Sequence, residues 1–268
     1  VAVDLDRCTG CGLCAARCPT EALELTGFAP ERWAVTTSVI KSVLLTCPRA
    51  EEQGTLTVPC LGAVREEFLL ALLAQGVETI YLGTWPCERC PQADPARETW
   101  EAVLTRLAAY QEWLDLPGEV CRAAAPSEGA QQGLSRRDFL RWLQARGRET
   151  STSVLASAWP LGSGADSEET EAGVNQTARR HVPRYRRVLL RVLAGRWPNA
   201  ADARSSLRPT PGLPLAALVV REGCDLCGGC ARICPTGALR TRREGEEASL
   251  VFTAAACVAC GLCALACP

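Results

Sequence analysis

The sequence predicts an α+β protein of several modules. Two cysteine-rich ends flank a small α/β domain with a parallel sheet, and a partly irregular helical linker precedes the second end. Three observations support this organisation. The 17 cysteines among 268 residues fall into two groups, one before residue 122 and one after residue 223. Residues 43–115 alternate apolar runs with helical patterns, and residues 116–215 are rich in Pro, Gly, Ser, Ala and Arg.

Composition excludes several classes of function. The 29 basic and 30 acidic residues leave a net charge of −1, so no overall field favours nucleic acid. The single histidine, His181, excludes three-histidine zinc catalysis and a Rieske centre. No apolar run approaches the roughly 18 residues of a membrane span. No secretory signal is apparent, so we expect a cytoplasmic protein whose clustered cysteines bind metal.

The C-terminal module, residues 216–268, carries the most specific pattern. Two runs of four cysteines are spaced C-x2-C-x2-C-x3-C, and each is followed by proline. This pattern resembles the bacterial two-cluster ferredoxin, and the resemblance implies two [4Fe–4S] clusters, each completed by the fourth cysteine of the other run. The implied ligand sets are Cys224, Cys227, Cys230 and Cys267 for one cluster, and Cys257, Cys260, Cys263 and Cys234 for the other. Flanking strands are expected at Ala217–Arg221 and Ala248–Thr253.

The N-terminal module, residues 1–28, holds one such run. Its cysteines are Cys8, Cys11, Cys14 and Cys18, again followed by proline. A single ferredoxin-type run implies one [4Fe–4S] cluster on the first three cysteines. In a two-run ferredoxin the last cysteine binds the other cluster, so two candidates remain for the fourth ligand. They are Cys18 itself and Cys47, which also precedes a proline.

The region 43–115 predicts a small, largely parallel α/β domain. Val43–Thr46, Thr55–Val58 and Val77–Leu82 have the composition of short buried strands. Glu66–Ala74 is an apolar helix closed by a glycine, and Arg97–Leu114 repeats apolar residues at helical spacing. The order β-β-α-β-α favours parallel strands covered by helices.

Four further cysteines follow these predicted strands. Cys47 follows the first strand, Cys60 the second, and Cys87 and Cys90 the third. Ligands of open α/β sheets collect at the carboxyl ends of strands, so these thiols predict a metal site at one sheet edge. Zinc is the rival occupant, because four thiolates also suit it. The remaining alternative is four separate small core residues.

The surrounding sequence resembles a known family over about 70 residues. The segments Thr46-Cys47-Pro48, Val58-Pro59-Cys60-Leu61-Gly62 and Gly83-Thr84-Trp85-Pro86-Cys87-Glu88-Arg89-Cys90 are similar to the delta (iron–sulfur) subunit of methyl-viologen-reducing hydrogenase. The resemblance implies a [2Fe–2S] centre, and a [4Fe–4S] cluster at the same thiols stays open as the alternative. It also implies a hydrogenase or a heterodisulfide-reductase-like protein as redox partner, and a flavoprotein is a further candidate. The sequence departs from the family where a C-x-x-C pair is reduced to Cys47 alone.

The linker, residues 116–215, contains one feature suited to a partner. Arg179–Leu193 is predicted as a basic amphipathic helix. Arg186, Arg187 and Arg191 are its candidate docking residues, with Leu189, Val192 and Leu193 filling a groove on the partner. Cys121 has no partner at ligand spacing and is the odd thiol or a reserve ligand.

These patterns predict a multi-cluster iron–sulfur electron-transfer subunit of a larger oxidoreductase complex. No nucleophile–base pair or phosphate-binding loop is present, so no catalytic residue is assigned. Two other functions stay open. One is a heterodisulfide-reductase-type subunit that reduces a disulfide or sulfur compound at the site of Cys60, Cys87 and Cys90. The other is an interaction scaffold that holds zinc.

Overall fold

The computed structural model describes residues 3–4, 6–28, 40–51, 54–124, 180–196, 215–244 and 247–268. Val1–Ala130 and Arg180–Pro268 belong to one compact unit, and the second unit, Gln131–Arg179, lies outside the described residues. Most of the predicted linker is therefore outside them as well. Within the described segments, no helix is long and apolar enough to cross a membrane.

The centre of the chain is a four-stranded parallel sheet. Its strands are β1 (Ser42–Thr46), β2 (Leu56–Thr57), β3 (Thr79–Gly83) and β4 (Glu119–Ala123), in the spatial order β2-β1-β3-β4. All three pairings are parallel. The predicted parallel sheet is thus confirmed, with strand ends displaced by one or two residues.

Strand β4 is a correction to the predicted boundary at residue 115, because it falls in the region assigned to the linker. It pairs with β3 at the sheet edge, with Cys121 opposite Tyr81. Only Ala123 of this strand is fully buried. A short, mostly exposed edge strand lacks the apolar run by which a buried strand is recognised, so the sequence pattern did not reveal it.

Two helices cover the sheet, α2 (Glu66–Ala74) and α3 (Ala93–Leu114). The predicted α2 has the observed bounds, and eight of its nine residues are buried. Helix α3 starts four residues before its predicted start, and Pro95 falls in its first turn, where proline is tolerated. Its buried face carries Trp100, Val103 and Leu107 at helical spacing.

Helix α4 (Arg184–Arg196) packs against α2. It begins later than predicted because Pro183 directly precedes it, and proline disfavours helical backbone in the residue before itself. Tyr185 and Leu189 of α4 belong to the sheet domain's core, and Val192 and Leu193 pack against it. The apolar face that was predicted to enter a partner's groove is thus used within the chain, and Leu189 has no exposed surface.

The N-terminal module is joined to this core by helix α1 (Leu13–Arg17). Helix α1 packs on a 3-10 turn at Leu61–Ala63, which directly follows Cys60. Gly62 permits this approach, because a Cβ at that position would collide with the Leu13 side chain and lie 2.9 Å from the Ala96 Cα. The packing of α1 therefore brings the first cysteine run towards the sheet edge.

The C-terminal module combines two short helices with a hairpin. They are α5 (Gly229–Ile233), β5 (Leu239–Glu244), β6 (Glu247–Phe252) and α6 (Leu262–Leu265). The predicted strand at 248–253 corresponds to β6. The predicted strand at Ala217–Arg221 is wrong, since that segment forms no strand and Val219 is 82% exposed. The antiparallel partner of β6 is instead the arginine-rich β5.

Candidate metal centres

The three cysteine runs share one backbone conformation. In each, the residues before and after the second cysteine have positive φ, and a short helix carrying the third cysteine begins next. The φ values are 67° and 77° at Gly10 and Gly12, 58° and 73° at Leu226 and Gly228, and 53° and 75° at Ala259 and Gly261. Left-handed backbone costs a non-glycine residue about 1–2 kcal/mol. Its occurrence at both Leu226 and Ala259 marks a functional constraint.

This alternation has a chemical use. Left-handed residues between right-handed ones turn successive backbone N–H groups into a concavity that binds anions, an arrangement found at many Fe–S sites. Three thiolates spaced around each loop form an anionic, soft donor set. The residues therefore fit an iron–sulfur cluster at each run, on both backbone conformation and ligand chemistry.

The fourth cysteines of the first two runs have matching hydrogen-bond donors. Cys18 Sγ is 3.5 Å from Thr20 Oγ1 and accepts a bond from Ala22 N at 3.2 Å. Cys234 Sγ is 3.7 Å from Thr236 Oγ1. Burial raises the pKa of both thiols, but bonds from these hydroxyls and from nearby backbone N–H groups outweigh it and lower the pKa of each. Both sites thus stabilise a thiolate, the form that binds metal.

The two C-terminal runs interlock. Cys234 belongs to a small hydrophobic core against which Cys257 and Cys263 of the other run pack. In the reverse direction, a Cβ on Gly229 would lie 3.6 Å from Cys227 Sγ and 3.8 Å from the carbonyl oxygen of Ala266, which precedes Cys267. Each run's fourth cysteine therefore lies near the other run's loop, as the ferredoxin resemblance implies.

Five thiols from four segments surround a cavity at the carboxyl edge of the sheet. They are Cys11, Cys47, Cys60, Cys87 and Cys90. Cys47 follows β1 and Cys60 follows β2. Cys87 lies within a 3-10 turn, Trp85–Arg89, that follows β3, and Cys90 is the C-cap of that turn. The predicted convergence of four cysteines is observed. The fifth, Cys11, comes from the N-terminal run.

The electrostatics of this cavity reflect its crowding. The pKa of Cys87 is raised to about 11, mainly by burial and further by the neighbouring Cys47, Cys60 and Cys90, while Arg97 acts in the opposite direction. Burial also raises the pKa of Cys60, with Cys11, Cys47 and Cys90 adding to the effect. Thiols that repel one another when ionised need a cation to hold them as thiolates, so the donor set suits a metal centre.

The described residues contain no site for a single metal ion. Within these ranges, no three Cys, His, Asp or Glu side chains are arranged to hold one metal ion.

Cys121, the odd thiol, lies in strand β4 with its Sγ 4.0 Å from Glu119 Oε2.

Glu21 links the N-terminal module to α4. Its carboxylate is 4% exposed and accepts bonds from Arg184 N at 2.6 Å and Tyr185 N at 3.0 Å. These are the first N–H groups of α4, so a side chain of one module caps a helix 163 residues later. Arg65 adds a second link, because it donates to the Cys18 carbonyl at 3.4 Å and stacks over the Tyr185 ring at 4.6 Å.

The three predicted docking arginines differ in exposure. Arg187 and Arg191 are exposed on α4. Arg186 is only 5% exposed, and its guanidinium donates to carbonyl oxygens of the C-terminal module. A partner cannot reach Arg186, so its predicted docking role is wrong. The helical pattern gave no signal for which arginine faces inward.

Comparison with known families supports both ends of the chain. The family model of the 4Fe-4S binding domain matches residues 1–24, and the 4Fe-4S dicluster domain matches residues 223–268. The chain carries ferredoxin-type 4Fe–4S domains at both ends. These domains indicate an iron–sulfur electron-transfer protein. No curated protein and no solved structure matches the chain. The comparisons give no support for the hydrogenase delta-subunit resemblance.

The residues that support the cysteines were not predicted from the sequence. One signal was available: Cys18-Pro19-Thr20-Glu21-Ala22-Leu23 and Cys234-Pro235-Thr236-Gly237-Ala238-Leu239 differ only at their fourth residue. The shared threonine bonds the thiol in both cases. At the fourth residue, Glu21 and Gly237 have positive φ, of 50° and 68°. Glutamate in a position that favours glycine points to a role for its side chain, here the cap of α4.

Proposed function

We propose that this chain relays electrons as a subunit of a larger redox complex, through clusters at both ends and a further thiolate-bound cluster at the sheet edge. The observation that carries the proposal is the shared conformation of the three cysteine runs. Their paired left-handed residues produce the same anion-binding loop three times, twice with non-glycine residues that are unfavourable there.

The arrangement of the loops supports a relay rather than separate stores of electrons. Ala16 and Pro19 of the first run line one cleft of about 670 Å³ with Val258 and Ala259 of the last run. On its other side, the first run contributes Cys11 to the sheet-edge cavity. The N-terminal cluster would therefore stand between the C-terminal pair and the sheet-edge site, as an electron path requires.

The proposed ligands follow the interlocking of the runs. One C-terminal [4Fe–4S] cluster takes the first three cysteines of its run and the last cysteine of the other, and the second is its reciprocal. The sets are Cys224, Cys227, Cys230 and Cys267, and Cys257, Cys260, Cys263 and Cys234. The N-terminal cluster takes Cys8, Cys11 and Cys14.

Two cysteines compete for the fourth N-terminal position. Cys18 has the thiolate-stabilising donors of Cys234, and Cys47 shares a cavity with Cys11. Replacing each by serine in turn decides between them. The change that abolishes the N-terminal cubane's EPR signal identifies the ligand, and the other change leaves that signal intact.

Metal content tests the proposal. Three cubanes and one further cluster require roughly 14–16 Fe per chain, with matching acid-labile sulfide. We expect this count in anaerobically purified protein. A count of about 8 Fe with zinc making up the difference would contradict the relay, because only the C-terminal module would then carry electrons.

The sheet-edge cluster has its own test. Cys87→Ser should remove one EPR species and leave the C-terminal pair unchanged, because strands rather than ferredoxin loops position this thiol. Cys121→Ser is the matched control, since it lies on strand β4 of the same sheet and should leave every signal in place. Loss of all signals in Cys87→Ser would show that the residue is structural. Turnover of a disulfide acceptor by the isolated chain would favour an enzyme over a relay.

A further inference from the structure

Arg186 connects the sheet domain to the last cysteine run. Its Nε donates to the carbonyl oxygen of Ala255 at 3.0 Å, and its Nη2 donates to that of Ala254 at 2.9 Å. Both carbonyls belong to a 3-10 turn, Ala254–Ala256, whose C-cap is Cys257. A fork of two bonds thus fixes the backbone immediately before the first cysteine of this run.

The guanidinium is a buried positive charge beside that run. Burial lowers the pKa of Arg186, while Tyr110, Cys257 and Glu67 act in the opposite direction. Arginine's ordinary value is so far above neutrality that the group stays charged. Burial raises the pKa of Cys257, and among the charges that face this thiol Arg186 lowers it while Cys260 and Cys263 raise it.

The other C-terminal run has an arginine of a different kind. Arg232 Nη1 donates to the Cys227 carbonyl at 3.2 Å, but the Arg232 side chain is exposed. Water and salt screen an exposed charge far more than a buried one. The two C-terminal runs therefore differ in the local field that their arginines supply.

We propose that Arg186 is a positioning residue that raises the reduction potential of the cluster held by Cys257, Cys260 and Cys263 above that of its C-terminal neighbour. The inference rests on the proposed occupancy of both runs. Reduction of a cluster by one electron adds one negative charge, and a fixed cation nearby stabilises the reduced state more than the oxidised one. In the chain the electron comes from a redox partner, and in the test below it comes from dithionite.

This difference would give electron flow a direction. The run beside Arg186 is also the one whose Val258 and Ala259 line the cleft shared with the N-terminal module. Electrons entering at the exposed Cys224 and Cys227 would move to the higher-potential cluster, which is the one closer to the rest of the relay.

The test is an anaerobic potentiometric titration of the full chain followed by EPR. Arg186→Gln removes the charge, and we expect one C-terminal cluster to shift to lower potential with an unchanged iron count. Arg186→Lys keeps the charge and should restore most of the potential. Arg187→Gln, the exposed neighbour, is the control and should shift nothing.

Two results with the Arg186 variants would overturn the proposal. If Arg186→Lys lowers the potential as much as Arg186→Gln, the residue acts only through its hydrogen bonds and the proposal is overturned. Full iron content with no shift in Arg186→Gln also overturns it. If Arg186→Gln loses iron, the potentials of the wild-type chain provide the test. Cys260→Ser identifies the EPR signal of the cluster beside Arg186, and that signal must have the higher potential of the C-terminal pair in the wild-type chain; a lower potential overturns the proposal. Absence of C-terminal cubanes from the wild-type chain would instead refute the proposed function.

Discussion

The cap that Glu21 places on helix α4 gives a quantitative prediction. Glu21→Ala removes the acceptor of two backbone N–H groups, of which Tyr185 N is buried. Leaving a buried donor unsatisfied costs ~1–3 kcal/mol, and loss of a helix cap costs ~0.5–2 kcal/mol. The combined loss is about 3 kcal/mol of local stability in the first turn of α4.

Hydrogen exchange measures this loss directly. Because each 1.4 kcal/mol corresponds to about a tenfold change, amides in the first turns of α4 should exchange about 100-fold faster in Glu21→Ala. Glu21→Gln keeps one acceptor oxygen and should have an intermediate effect. Both variants keep a non-glycine side chain at this positive φ, so a change in backbone strain does not confuse the comparison.

Glu24 provides the matched control. It is an exposed carboxylate that pairs with the same Arg184, at 3.8 Å. Exposed pairs contribute ~0.2–1 kcal/mol, so Glu24→Gln should change exchange by less than about fivefold. Equal effects in Glu24→Gln and Glu21→Ala, or unchanged exchange in Glu21→Ala, would refute the assignment of Glu21 as the cap.

Two further predictions concern packing and charge. Gly12→Ala should lower the free energy of unfolding by about 1–2 kcal/mol or more and reduce N-terminal iron occupancy, because φ is 77° and the new Cβ would lie 3.0 Å from side-chain carbons on two sides. Gly10→Ala is the control: its new Cβ would lie in open space, so only the cost of the left-handed backbone should remain. Arg106→Met strands the buried Glu66, which it binds at 2.7 Å, and should cost ~2–3 kcal/mol in an anaerobic urea titration, less than a fully buried pair because Arg106 is 36% exposed. Lys41→Met removes the exposed ion pair with Glu78 and should lower the free energy of unfolding by less than ~1 kcal/mol. Equal urea midpoints for Arg106→Met and Lys41→Met would contradict the assignment of the larger cost to the buried carboxylate.

Local patterns predicted the parts of the structure that local forces determine. The cysteine runs were recognised because loop conformation and ligand spacing lie within about ten residues. Helix α2 was predicted with the observed bounds because its apolar residues and terminal glycine are contiguous. The approach of four cysteines to one edge also followed, since parallel strands bring their carboxyl ends together.

Features that depend on distant contacts did not follow from the sequence. Cys11 reaches the sheet edge only because α1 packs on Gly62, about fifty residues along the chain. The basic helix was predicted, but an arginine-rich pattern does not show which guanidinium faces inward. The acceptors of Arg186 belong to a turn 68 residues further on. Strand β4 is held by its pairing with β3 rather than by an apolar run of its own.

The most direct test of the relay is an anaerobic reductive titration of the full chain, with EPR spectra recorded at each step. We expect signals from three cubanes and one further species, with magnetic interaction that involves the N-terminal cluster as reduction proceeds, because the N-terminal loop adjoins both the cleft and the sheet-edge cavity. Only the two C-terminal signals, with no magnetic interaction beyond the one between those two clusters, would contradict the relay.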